Sequence, residues 1–215
     1  MPDSGSVSGV VTLAGPVPKL QLRPVDKDHA ACGTGAKPPL ALVLGPERTL
    51  GNAVVVLRGV GAGKKFPPFT PVLDQKNCDY VPYLQVVPLG AKLAILNSDP
   101  VSHNVHASDA SGASLFNLGT PLQGQRFEQA FAAPGPVKIK CDVHPWMFAW
   151  IWVAETPYAA LTGKDGRFSL PEVPPGTYAL SVWHELFGTK ESSVTVPSKG
   201  TVTVNVALSL LDAGS

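Results

Sequence analysis

The sequence predicts an all-β protein, and three observations carry that prediction. Short runs rich in valine, threonine and aromatics recur along the chain: "SGVVTLAG", "NAVVVLRGV", "YLQVVPLG", "KLAILNSD", "VKIKC", "MFAWIWVA", "RFSL", "TYALSVW", "SSVTVP" and "TVTVNVAL". Gly, Pro, Asn or Asp punctuates nearly all of them, as in an antiparallel sandwich. Glycine (21) and proline (22) are abundant, yet the 44% apolar content supplies a core rather than disorder. No stretch offers an amphipathic helix.

Taken in order, residues 1–69 are an N-terminal β extension. Its first strand, around "SGVVTLAGPVP", can join either of two sandwiches, because a first strand can pair with a last one across an inserted domain. Residues 70–156 make the first sandwich. Their closing run, "PWMFAWIWVA", is apolar on both alternating faces, which fits a strand covered on each side. A change in composition at "AETPYAALTGKDGRF" marks a seam. Beyond it, "TGKDGRFSLPEVPPGTYALSV" reads as two strands with the turns "KDG" and "PPGT", and residues 157–212 are expected to form a small second β-sandwich.

A formal charge of +1 with 15% charged residues leaves no basic stripe for phosphates, so nucleic acid is set aside as a partner. No run of about 18 apolar residues exists, so the chain is not expected to span a membrane. The opening "MPDSGSVSGV" lacks the charged-then-apolar pattern of a signal peptide. "RGVGAGKKF" fails as a phosphate loop, with Arg58 in place of the first glycine and Lys65 in place of the hydroxyl residue. His184 and Glu185 in "VWHELFG" lack the second histidine of a zinc-protease helix, and a structural role is expected. His29, in "DKDHAAC", reads as a surface residue.

The loop "CDVHPWM", residues 141–147, spaces a thiol, an imidazole and a thioether three residues apart. A zinc finger would need a second ligand pair at short spacing, and haem attachment would need Cys-x-x-Cys-His; neither is present. Cys, His and Met converging on one ion point to copper, where two His and one Cys form a trigonal set with a weak axial Met. "NSDPVSHNVHA" offers His103 and His106 as the second histidine. On a strand they face opposite ways. His103 shares its face with Val105 and Ala107, and Cys141 shares its face with Val137 and Ile139, so His103 is selected. His106 is left as a surface residue or one standing behind the ligands. Met147 is one of only two methionines, the other being Met1, which makes its place in the loop informative. Should Cys141 bind metal, Cys32 and Cys78 remain as a natural disulfide pair; two free buried thiols are the alternative.

"NSDPVSHNVHA" followed by "CDVHPWM" resembles the cupredoxins, the small blue copper proteins, with the short ligand loop of the amicyanin type. The resemblance spans roughly residues 70–155. It implies a Greek-key β-sandwich, one type 1 copper ion held by His103, Cys141, His144 and Met147, and an Asn104 that ties the two ligand segments together from behind. "TGKDGRFSLPEVPPGTYALSVWHE" resembles the carboxypeptidase regulatory-like (transthyretin-like) sandwich, an accessory module that implies no peptidase.

The function so implied is one-electron transfer outside the cytoplasm, in the periplasm or beyond, with a protein redox partner reached through an exposed His144 edge. Trp146 is a candidate docking residue for that partner. No nucleophile–base–acid set emerges, so an enzyme is not expected. A copper carrier or storage protein would use the same ligands. An adhesion or assembly module, with copper incidental, is the third class.

Overall fold

The structure is a computed structural model, described over residues 3–210. Leu211 and Asp212, at the expected end of the second sandwich, lie outside the described residues. The chain is all-β and its described residues divide into two compact units, one of residues 21–39 and 68–155 and the other of residues 3–20, 40–67 and 156–210. The segment 1–69 is thus shared between the units rather than forming a single extension. No helix among the described residues is long and apolar enough to cross a membrane.

The unit that holds the 141–147 loop is a two-sheet sandwich. One sheet runs Arg126–Gln129, Leu93–Asn97, Val72–Lys76, Asp79–Val81. The other runs Ser114–Thr120, His103–Ser108, Gly135–Lys140, Phe148–Ala154, Leu84–Pro88. Strand alternation sends Val105, Ala107, Val137, Ile139, Ala149 and Ile151 into one core with Leu73, Leu93 and Ile95 of the facing sheet. Two of the strand pairs are parallel, Leu93–Asn97 with Val72–Lys76 and Phe148–Ala154 with Leu84–Pro88, where turn punctuation alone predicts antiparallel pairing. His106 lies opposite Lys140 and Ala107 opposite Ile139. Continuing that register carries His103, at the start of its strand, to the level of the loop that follows Lys140.

Residues 21–39 are fastened to this sandwich by a Cys32–Cys78 disulfide. Cys32 ends a single helical turn, His29–Cys32, whose last two amides donate to the Asp28 carbonyl. Arg23 pins the segment from below. It is buried; its Nε donates to the Pro38 carbonyl (2.9 Å) and its Nη1 to Asp79 Oδ1 (2.9 Å) and the Trp146 carbonyl (2.8 Å).

In the second unit, Gly5–Leu13 is an interior strand, flanked by Arg167–Val173 on one side and by Thr201–Thr203 and Val206–Leu208 in line on the other. A second sheet runs Ala159–Leu161, Val54–Arg58, Gly176–His184, Gly188–Val196. Val7, Val11, Leu13, Val55, Leu57, Leu170, Leu180 and Val182 form the core between the two sheets. Between the two in-line strands the Val204 amide donates to the Ser8 carbonyl (2.8 Å). That close approach requires glycine at position 9, because a Cβ there would stand 1.8 Å from the Val204 carbonyl oxygen.

Candidate metal centre

The loop after Gly135–Lys140 turns back through its own hydrogen bonds. The Cys141 amide donates to the Met147 carbonyl (3.1 Å) and the Met147 amide to the His144 carbonyl (2.9 Å). The His144 amide donates to Cys141 Sγ (3.4 Å). Proline at 145 has no amide to satisfy, so it fits inside this tight turn without leaving a donor unpaired. Closure brings His144 back over Cys141 while Met147 starts the next buried stretch.

His103, Cys141 and His144 converge. The two Nδ1 atoms are 2.9 Å apart, and Cys141 Sγ lies 4.0 Å from His103 Nδ1 and 3.8 Å from His144 Nδ1. Donors bound at about 2.0–2.3 Å to one first-row metal stand about 3–4 Å from each other, so these three fit a single ion. Each ring turns its other nitrogen to a carboxylate: His103 Nε2 to Asp99 Oδ2 (3.0 Å) and His144 Nε2 to Asp28 Oδ2 (2.8 Å). A carboxylate on Nε2 fixes the proton there and leaves Nδ1 a free lone pair. Two such lone pairs 2.9 Å apart repel unless a proton or a metal ion lies between them, and Cys141 Sγ stands beside both as a third donor. The donor set therefore fits a metal, and imidazole with thiolate suits copper.

Burial closes the site. His103, Cys141, His144 and Met147 are each at most 3% exposed. Burial is the largest influence on His103 and lowers its pKa; His144 acts the same way, and Asp99 only partly opposes. A neutral imidazole is the form that ligates.

The expected residues fall in distinct places. Asn104 lies behind Cys141, its Oδ1 accepting from the thiol (3.4 Å) and from the Asp142 amide (2.7 Å). His106 is turned away from the three converging donors. Its Nδ1 meets the Asp142 carboxylate (3.1 Å) and its Nε2 meets Ser114 Oγ (3.1 Å) at the sheet surface. At Asp142, partial burial works to raise the pKa, and hydrogen bonds from His106, Asn117 and Asn104 bring it below the usual carboxylate value. His29 is exposed, and its ring meets the Gly33 carbonyl. His184 is buried in the other unit, stacked on Phe187, with Nδ1 accepting the Leu186 amide (3.1 Å).

Two expectations need correction. The His144 edge is not exposed: its side chain is wholly buried under Asp28 and Cys32, whose Sγ is 4.0 Å from Nε2. Trp146 is also buried, at 3% exposure, its indole donating to the Cys78 carbonyl (3.1 Å) and its ring packed 4.9 Å from that of His144. In that position it cannot be a surface docking residue. The burial of His144 follows from the 21–39 segment, whose Asp28 and Cys32 lie on its ring, and Trp146 is held inside by His144 and the Cys78 carbonyl.

Sequence reasoning missed the carboxylates. Asp99 stands four residues before His103 in "DPVSH", a spacing that could have been read. Its oxygens also accept the Asn77 (2.7 Å) and Cys78 (2.8 Å) amides. Asp28 is 116 residues from His144, and only the fold brings them together.

The fold and site define an all-β chain with a buried His–Cys–His cluster. Residues 145–209 match the family model of the carboxypeptidase regulatory-like domain. No curated protein matches the chain. Among solved structures, the chain is similar to a purple cupredoxin from Nitrosopumilus maritimus (29% identity, TM-score 0.35), covering 39% of this chain and 99% of that one. It is also similar to a Cu-containing nitrite reductase from Thermus scotoductus SA-01 (24%, TM-score 0.35), covering 46% of this chain and 25% of that one. A Cu(I) form of an amicyanin mutant matches at 18% identity and TM-score 0.35, covering 46% of this chain and 98% of that one.

Proposed function

We propose that this chain is a type 1 (blue) copper protein that transfers single electrons, with His103, Cys141, His144 and Met147 as the ligands of one copper ion. The observation that carries this reading is the convergence of two Nδ1 lone pairs and one sulfur, each imidazole backed by a carboxylate. Copper held there supplies one-electron chemistry by cycling between its two oxidation states. The chain's residues do the rest. Asp99 and Asp28 orient the imidazoles, the His144 amide and Asn104 hold the sulfur, and the surrounding core excludes water. Met147, buried in that core and tied to Cys141 by a backbone hydrogen bond, would be the fourth donor. Four donors from the chain leave no position reserved for a substrate, which favours electron transfer with a protein redox partner over catalysis. The disulfide supports an oxidising compartment, periplasmic or extracellular.

One observation favours a second reading, a copper carrier or storage protein: the buried His144 offers no bare edge through which a partner could take an electron. Reversible redox cycling without metal loss would separate electron transfer from storage.

The test is the visible absorption spectrum after adding Cu(II) to the purified protein, repeated with Cys141→Ser. An intense blue or purple band that disappears in the variant is expected. Copper bound without such a band would overturn the type 1 assignment and leave a histidine-based site.

A further inference from the structure

Asp28 is spent in an unusual way. It caps the N-terminus of the His29–Cys32 turn, where an aspartate ordinarily accepts from the turn's own amides, yet its side chain makes no such bond. Its backbone is left-handed, at φ 50°, and its carboxylate instead reaches His144 Nε2 at 2.8 Å. Asp28 is 41% exposed, whereas the His144 side chain beneath it is wholly buried. The solvent-side approach to that ring therefore ends at this carboxylate and at the neighbouring Cys32 sulfur.

The disulfide links this arrangement to the other histidine. Cys32 follows Asp28 by one turn, its amide bonded to the Asp28 carbonyl (2.8 Å). Cys78 is the residue whose amide holds Asp99 Oδ2, the oxygen on His103 Nε2. One covalent bond thus joins the two segments that position the two imidazoles. Three further contacts close the segment down: Lys37 Nζ on the Cys78 carbonyl (2.9 Å) and on Asp79 Oδ2 (2.9 Å), and Arg23 on the Trp146 carbonyl (2.8 Å).

We propose that residues 21–39 are a disulfide-fastened cover over the ligand histidine, with Asp28 as the positioning residue for His144, and that this cover controls exchange of the metal. The proposal rests on the copper reading for its second half only. With the cover closed, a chelator or acceptor cannot reach His144; opening it frees the ring to rotate off the metal. Loss of a group that orients a ligand from behind typically costs 10–100-fold in metal affinity, and faster release is the direct expression of that loss here.

The experiment compares wild type, Asp28→Ala and Asp28→Asn, each checked for native folding by its thermal transition. In metal-free protein, imidazole ¹⁵N–¹H spectra read the Nε2–H protons. Wild type and Asp28→Asn, which keeps an acceptor oxygen, should show protected signals from both His103 and His144. Asp28→Ala should lose the His144 signal alone. In copper-loaded protein, transfer to an excess of chelator should be 10–100-fold faster from Asp28→Ala than from wild type, with Asp28→Asn restoring most of the difference. An Asp28→Ala variant that keeps both protected signals and releases copper at the wild-type rate overturns the cover. If wild type binds no copper, the copper reading fails, while the metal-free spectra still decide whether Asp28 holds His144.

Discussion

The side-chain oxygen of Asn104 lies 3.4 Å from Cys141 Sγ and also takes the amide of the next residue, Asp142, at 2.7 Å. One strand residue therefore holds both the sulfur and the first peptide of the 141–147 loop. Its Nδ2 donates to Asn117 Oδ1 (2.7 Å) and Asp142 Oδ2 (3.0 Å), and its carbonyl accepts the Tyr80 hydroxyl. Burial, with the charges of Cys141 and Asp142, pushes the Tyr80 phenol well above its usual pKa, so it stays a donor. Asn104→Ala leaves the partly buried Asp142 amide unpaired and takes the acceptor from the Cys141 thiol. Denaturant unfolding of the metal-free variant should show a loss of about 1–3 kcal/mol. Copper competition should show affinity reduced by about 10–100-fold. An unchanged unfolding midpoint would contradict this role.

Arg23 and Trp146 make the second prediction. The guanidinium forks between the Asp79 carboxylate and the Trp146 carbonyl, in the 141–147 loop, while Nε reaches Pro38. Arg23→Met removes the charge and leaves Asp79 with Lys37 as its remaining partner. Breaking a buried pair costs about 3–5 kcal/mol. Asp79 is 23% exposed and keeps that lysine, so about 2–3 kcal/mol is expected here. Arg23→Lys should not rescue, because a single ammonium cannot serve three acceptors in this planar arrangement. Full recovery of the unfolding midpoint by lysine would refute the fork.

Most of the fold was legible because it is written in local alternation. Val105 and Ala107 against His106, or Val137 and Ile139 against Lys138 and Lys140, show their inward face without any tertiary information. Strands with weak alternation escaped. Val72–Lys76 buries Gln75, which bonds to Thr120 Oγ1 across the core, so its polar residue reads as a loop. Ser114–Thr120 is mostly exposed and gives little contrast between its faces. At the site, the donor types and their three-residue spacing stood in one loop, and His103 could be chosen over His106 by facing. The cover could not be read. Its bonds from Asp28 to His144 and from Arg23 to Trp146 join residues more than 100 positions apart, and "DKDHAAC" carries no pattern that points to a histidine elsewhere. The burial of His144 under Asp28 escaped for the same reason.

Gly9 supplies a prediction in the second unit. The in-line strands Thr201–Thr203 and Val206–Leu208 both pair with Gly5–Leu13, and the chain between them presses the Val204 carbonyl against Gly9. A methyl group there would stand 1.8 Å from that oxygen, and the two nearest atoms it meets are backbone, which cannot rotate away. Gly9→Ala should cost about 3 kcal/mol by forcing the strands apart. Hydrogen exchange should show the Val204 amide losing protection first, since its bond to Ser8 spans the same gap. A variant as stable as wild type would mean that this edge is held less closely.

His184 makes the stability of its unit depend on pH. The ring is fully buried, and desolvation is the largest influence; it lowers the pKa from 6.5 to about 4. Its Nδ1 already accepts the Leu186 amide, so a second proton would have to displace that bond. Between pH 6.5 and 4 the unfolded chain binds this proton and the folded chain does not. Stability from this group is therefore complete above pH 6.5 and is lost as the pH falls through that window, by about 1.4 kcal/mol per unit. The loss reaches about 3 kcal/mol near pH 4 and then levels off, because below that both states are protonated. Scanning calorimetry from pH 7 to 4 should show the transition of this unit falling, on top of the general effect of the carboxylates. His184→Gln carries no titrating group. It should lower the transition at pH 7 by removing the ring packed on Phe187, and should flatten its dependence on pH over the same window. A variant with the same pH slope as wild type would show that His184 is not the group responsible.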